Sequence, residues 1–81
     1  MKKILRFTAS WCGPCKMLSK TLEQIKTDVP IEVIDIDENS ELATEYNIRS
    51  VPTLVIVKDE KEIKRLVGNK PIQELEAFIH D

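Results

Sequence analysis

The sequence predicts an α/β domain of element order β-α-β-α-β-β-α, a four-stranded mixed sheet flanked by three helices. Three observations lead there. Short β-branched and apolar runs alternate with segments of helical period through the first part of the chain. The first two of these runs are joined through a helix, which requires parallel strands and a right-handed crossover. The last two, TLVIV and EIKRLV, are separated only by a polar turn, Lys58-Asp59-Glu60-Lys61, and must pair antiparallel.

The elements follow in order. KILRFTA (Lys3 to Ala9) is a short, mostly apolar run and reads as a strand. From Pro14 the period changes: Leu18, Leu22 and Ile25 fall at i, i+4 and i+7, with Lys16, Lys20, Glu23 and Lys26 on other faces. Pro14 suits the first turn, where its missing N–H deprives no hydrogen bond. IEVIDID (Ile31 to Asp37) is apolar until its acidic end and reads as an inner strand. Asn39 and Ser40 are N-cap candidates for a short helix presenting Leu42, Ala43 and Tyr46, and Asn47 suits its left-handed end. TLVIV (Thr53 to Val57) is a fully apolar strand, and EIKRLV returns as a partly exposed one. Gly68 and Asn69 break the chain, and Pro71 opens a last helix with Ile72, Leu75, Phe78 and Ile79 on one face.

At 81 residues the chain reads as one domain, residues 1–81, with no linker, repeat or low-complexity run. A chain this short buries only about 60% of the surface its unfolded form exposes. It is 42% hydrophobic and 32% charged, with a net charge of −2 and interleaved signs, which argues against a nucleic-acid partner. No apolar stretch approaches the roughly 20 residues needed to span a bilayer, and Arg6 interrupts the opening run before it resembles a secretory signal. The expectation is a cytoplasmic monomer without membrane contact.

Both cysteines of the chain lie in SWCGPCK, residues 10–16, where the first strand hands over to the first helix. Three readings compete. A structural disulfide here closes a loop of about four residues and stabilises by only about 2 kcal/mol, against nearly 5 for a 100-residue loop. A structural zinc site needs four ligands, of which C-x-x-C supplies two and His80 at most one more, so a dimer would have to complete it. Redox catalysis is favoured by location. Cys12 falls at a helix amino terminus, where free N–H groups and the macrodipole favour a thiolate, and Cys15 is one turn away. Gly13 allows another chain to approach closely. Trp11, beside the nucleophile in a loop, suits a flat apolar docking surface better than the core.

WCGPCK, followed by Val51-Pro52-Thr53 and then Val67-Gly68, resembles the thioredoxin family over nearly the whole chain. The extra strand and helix with which thioredoxins usually begin have no counterpart in it. The resemblance implies a thioredoxin-like fold and a protein-disulfide reductase in which Cys12 is the exposed nucleophile and Cys15 the resolving cysteine. It implies a cis Val51–Pro52 bond facing the cysteines, with Val51 backbone groups turned outward to pair with an extended substrate and Gly68 leaving room for it. Trp11, Gly13, Pro14, Val51, Pro52 and Gly68 would then form the docking rim. No bound cofactor or metal is implied. Electrons would come from NADPH through a flavin-containing thioredoxin reductase, and the other partners would be disulfide-containing proteins. A glutaredoxin-like, glutathione-coupled enzyme is the alternative that chain length suits, although Asn69-Lys70-Pro71 lacks the second glycine and acidic residue of a glutathione clamp. A non-catalytic binding module using the same rim is a third reading.

Two positions depart from the family pattern. Thioredoxins usually carry a buried aspartate six residues before the first cysteine, paired with a lysine on the next strand; here these positions are Arg6 and Val33, so neither role transfers. A charge in an inner strand requires compensation, and Asp35 is the expected partner of Arg6. If Arg6 instead approaches Cys15, it should favour thiolates and make the protein less reducing. Lys20 stands where many thioredoxins have a kinking proline, so the first helix should run straight to about Lys26. Tyr46 is expected in the core and His80 frayed at the terminus.

Overall fold

The computed structural model describes residues 1–80. Its elements are β1 (Lys2–Thr8), α1 (Gly13–Glu23), β2 (Ile31–Asp35), α2 (Ser40–Glu45), β3 (Thr53–Lys58), β4 (Lys61–Val67) and α3 (Ile72–His80), in the expected order. The sheet order is β2-β1-β3-β4. β1 runs parallel to β2, and β3 is antiparallel to both β1 and β4.

Side-chain alternation on the two central strands explains the layers. Ile4 on β1 and Leu54 and Ile56 on β3 face α1 and α3, where Leu18, Leu22, Ile25, Leu75, Phe78 and Ile79 close over them. Leu5, Phe7, Val55 and Val57 face the other way and, with Ile34, are covered by Leu42, Tyr46 and Ile48 around α2. The Phe7 and Tyr46 rings lie 5.8 Å apart, so Tyr46, expected in the core, packs against it while only partly buried. Asn39 caps α2, its Oδ1 accepting the Leu42 N–H at 3.4 Å, and Asn47 ends that segment with φ 55°.

Four expectations are corrected. β2 is an edge strand rather than an inner one, and Val33 is 56% exposed. Its apolar run reflects burial of Ile34 on one face and not of both faces. β2 also stops at Asp35, because the Asp35 carboxylate accepts the N–H groups of Asp37 at 2.8 Å and Glu38 at 3.3 Å and turns the chain. α1 ends at Glu23 instead of about Lys26: the Gln24 and Ile25 N–H groups bond to Thr21 and Leu22, three residues back. That tightened turn keeps Ile25 on the core side after the helix has ended, so the apolar period outlasts the helix. His80 is not frayed; it completes α3 and its Nε2 lies 3.2 Å from the Lys26 carbonyl oxygen.

Candidate active site

The chain leaves β1 at Thr8 and turns through Ala9 to Cys12, whose N–H donates to the Ala9 carbonyl at 3.2 Å. Cys12 is the N-cap of α1, with an extended backbone at φ −94° and ψ 108°. An N-cap side chain ordinarily offers oxygen to the free N–H groups of the first turn. Here it offers sulfur: the Cys15 N–H donates to Cys12 Sγ at 3.1 Å. Pro14 occupies the first turn, where it has no N–H to lose, and no acidic side chain lies in that turn. The helix end therefore presents an N–H and its positive dipole to one sulfur, uncompensated by a local carboxylate.

Cys12 and Cys15 form a disulfide, with Cα atoms 5.3 Å apart. Both pack with Ala9 in a small cluster against Ile36 and Val51. Cys12 is 4% exposed and Cys15 1%. Both are buried, so Cys12 is not the exposed group the resemblance implied: the Val51 loop leans on it, with Cys12 Sγ 3.8 Å from the Val51 carbonyl oxygen. Gly13 and Pro14 beside it are exposed, and a Cβ on Gly13 would meet nothing within 4 Å.

The Val51–Pro52 bond is cis. Pro52 is itself fully buried, so it is no surface for a substrate, contrary to its inclusion in the docking rim; half-buried Val51 is what the loop offers. The loop is held from both sides. Thr53 Oγ1 donates to the Ser50 carbonyl at 2.8 Å, and the Gly68 N–H donates to the Pro52 carbonyl at 2.8 Å. Gly68 has φ +92°, a left-handed backbone that favours glycine, while a Cβ there would meet nothing within 4 Å.

Trp11 is 67% exposed, which excludes a core role. Its indole Nε1–H donates to Asp37 Oδ2 at 2.9 Å. Asp37 is the site residue that sequence reasoning missed. The contact spans 26 residues and depends on the turn organised by Asp35, and nothing local to Asp37 signals it.

Arg6 and Asp35 line one cleft of about 240 Å3 together with Cys15, Thr8, Ser10, Lys16 and Ser19. The expected ion pair between them is not formed: among the described residues no carboxylate oxygen lies within 4 Å of the Arg6 guanidinium. The reason is the edge position of β2, which leaves Arg6 only half-buried, while Asp35 is engaged with the backbone of its own turn.

With this geometry in hand, comparison with known proteins is specific. The thioredoxin family model matches residues 1–81. A thioredoxin of Chlamydia pneumoniae is 42% identical over 80 residues, covering 95% of this chain and 78% of that protein. One of Bacillus subtilis is 40% identical over 78 residues, covering 91% and 75%. Among solved structures, a thioredoxin variant from Halobacterium salinarum superposes with a TM-score of 0.89 at 38% identity, covering 98% of this chain and 72% of that one. The oxidised thioredoxin of Plasmodium falciparum gives 0.85 at 32% identity, covering 98% and 78%.

Proposed function

The chain belongs to the thioredoxin family and is a thiol–disulfide oxidoreductase, and from that premise we propose that it works as a reductant of protein disulfides, recharged by NADPH through a flavin-containing thioredoxin reductase. The observation that carries the proposal is the Cys15 N–H donated to Cys12 Sγ at the start of α1. In the reduced protein the same N–H and helix end favour a thiolate on Cys12, the species that attacks a disulfide.

The reaction balances with the two cysteines alone. Cys12 thiolate attacks one substrate sulfur; a Cys12–substrate disulfide forms, and the other substrate sulfur leaves as a thiolate and takes a proton from solvent. Cys15, having lost its proton, then attacks Cys12 Sγ. The intramolecular disulfide forms, the mixed one breaks, and the second substrate sulfur departs. Two electrons pass from the dithiol to the substrate.

Docking is assigned to Trp11, Gly13, Pro14, Val51 and Gly68, with Asp37 holding the indole. These residues supply an exposed apolar ring and the half-buried Val51 loop beside the sulfur, where an extended polypeptide would dock. The working form is a monomer in the cytoplasm, where thiols are kept reduced; among the described residues no helix is long and apolar enough to cross a membrane.

Reduction of a protein disulfide by NADPH is the test, with thioredoxin reductase compared against glutathione plus glutathione reductase as electron source. Turnover with thioredoxin reductase, lost on Cys12→Ser, is expected. Turnover only with glutathione would overturn the assignment of the electron donor. Retention of activity by Cys12→Ser would overturn the mechanism.

A further inference from the structure

Arg6 has no place in the chemistry just described, yet its position is unusual. It stands on β1 facing α1, on the same strand face as Ile4 and Thr8. Ile4 is part of the core, and Thr8 lies toward the cysteines, so Arg6 occupies the boundary between the packed interior and the reactive end. Two clefts open between α1 and β2, and Arg6 lines both. The first contains Cys15, Thr8, Ser10, Ser19, Lys16 and Asp35; the second contains Ser19, Leu22, Glu23 and Val33.

The charges facing this space can be counted. Lys16 and Arg6 are cationic. Asp35 enters from β2, but its Oδ1 accepts two backbone N–H groups of the turn that follows. Glu23 lies at the far end of the groove. No carboxylate oxygen among the described residues reaches within 4 Å of Arg6. Burial without a compensating anion pushes the Arg6 guanidinium below its usual value. A partly desolvated cation with no counter-ion favours the appearance of negative charge beside it. The group on this cleft whose charge changes during turnover is Cys15, neutral in the disulfide and able to become a thiolate once it is opened.

We propose that Arg6 is a positioning residue for the resolving step: its cation, sharing a cleft with Cys15, favours the Cys15 thiolate in the reduced protein and so sets both the redox balance and the pH range of release. The proposal rests on the oxidoreductase reading above. Electrostatic stabilisation acts on the reduced form and not on the uncharged disulfide, so its direction is fixed: Arg6 makes the dithiol easier to keep and the protein a milder reductant. Release of product is helped at neutral pH, because a larger fraction of Cys15 is ionised. A lower thiol pKa also weakens intrinsic nucleophilicity, with a Brønsted coefficient of about 0.4–0.5. For a fivefold gain in thiolate the net acceleration is therefore roughly twofold to threefold.

The experiment compares wild type with Arg6→Gln and Arg6→Lys. The dithiol–disulfide equilibrium against glutathione is read by alkylation and mass, and the Cys15 thiol is titrated by 13Cβ NMR of the reduced protein. Arg6→Gln is expected to move the equilibrium on the order of fivefold toward the disulfide, about 20 mV for a two-electron couple, and to raise the Cys15 titration point. Arg6→Lys is expected to stay close to wild type. Unchanged equilibrium and titration in Arg6→Gln would overturn the proposal, as would equal shifts in Gln and Lys variants, which would indicate packing instead of charge. Should Arg6→Gln not fold, Arg6→Met is read in its place: a raised Cys15 titration point with a shift toward the disulfide supports the proposal, and values equal to wild type overturn it. These readouts need no protein substrate, so a wild type inert toward protein disulfides would sink the reading of function while leaving the role of Arg6 separately measurable.

Discussion

In the proposed mechanism Cys12 does two jobs that usually fall to different residues, capping a helix and attacking a disulfide. The same contact serves both, since the Cys15 N–H that needs an acceptor is also the dipole that favours the thiolate. The twin cysteines differ in what their loss should do. Cys15→Ser leaves the attacking sulfur in place but removes the group that releases product, so incubation with an oxidised protein is expected to accumulate a covalent Cys12–substrate adduct, visible as added mass that dithiothreitol removes. Absence of any adduct would mean that Cys12 is not the attacking sulfur. Trp11 carries a second prediction. Its indole is exposed but tethered to Asp37. Asp37→Ala frees the ring and should lower kcat/KM for a protein substrate by roughly fivefold, the equivalent of about 1 kcal/mol for one hydrogen bond, with little change for a small-molecule disulfide. Equal loss for both substrates would place the damage at the sulfurs instead of at docking.

Elements in this chain are legible where their signal is local. The period of Leu18, Leu22 and Ile25 gave α1, Asn39 and Asn47 marked the limits of α2, and the apolar run TLVIV gave β3, the most deeply buried strand. What stayed illegible depends on neighbours distant in sequence. IEVIDID reads alike whether it lies inside a sheet or at its edge, and only the pairing order decides that Val33 is bare. The end of α1 is not legible in the apolar period, because Ile25 remains apolar and buried after the helix has closed. Two element-scale outcomes follow. Leu18 is fully buried between α1 and the sheet, so Leu18→Ala should destabilise by about 2–5 kcal/mol in urea unfolding, as deletion of buried methyl groups generally does. The β3–β4 turn runs through Asp59 and Glu60 at φ 52° and 69°, a two-residue hairpin geometry that favours glycine. Glu60→Gly should therefore raise stability by roughly 0.5–1 kcal/mol, relief of the left-handed penalty outweighing the added chain entropy. A lower unfolding midpoint would show that the Glu60 backbone is at ease there.

Across the whole molecule the site is held by a thin body, 16 Å in its shortest dimension, with separate apolar clusters on the two sheet faces. A side chain of the outer hairpin reaches the end of α2. Arg65 on β4 donates through Nη2 to the Tyr46 carbonyl at 2.8 Å and grips the Glu62 carboxylate with Nε and Nη2, each at 2.7 Å. Such a link was not readable from EIKRLV, since Tyr46 lies 19 residues away. Arg65 holds the Glu62 carboxyl below its ordinary value, and Glu62 holds the guanidinium above its own. The two signs have different consequences. A depressed carboxyl contributes stability above its unfolded pKa of about 4.3, and that contribution is lost as pH falls through the lower folded value. The raised arginine is the other half of the same interaction: it stays protonated throughout the acid and neutral range, adds no slope of its own there, and loses its partner when Glu62 protonates. The pair is partly solvent-screened, so its worth is that of a surface ion pair, roughly 0.2–1 kcal/mol. Glu62→Gln should accordingly unfold at lower urea than wild type at pH 7 and at the same urea near pH 3. Arg65→Ala removes the Tyr46 bond as well and should remain less stable at both pH values. A Glu62→Gln deficit that persists in acid would show that geometry, and not charge, ties β4 to the helix behind it.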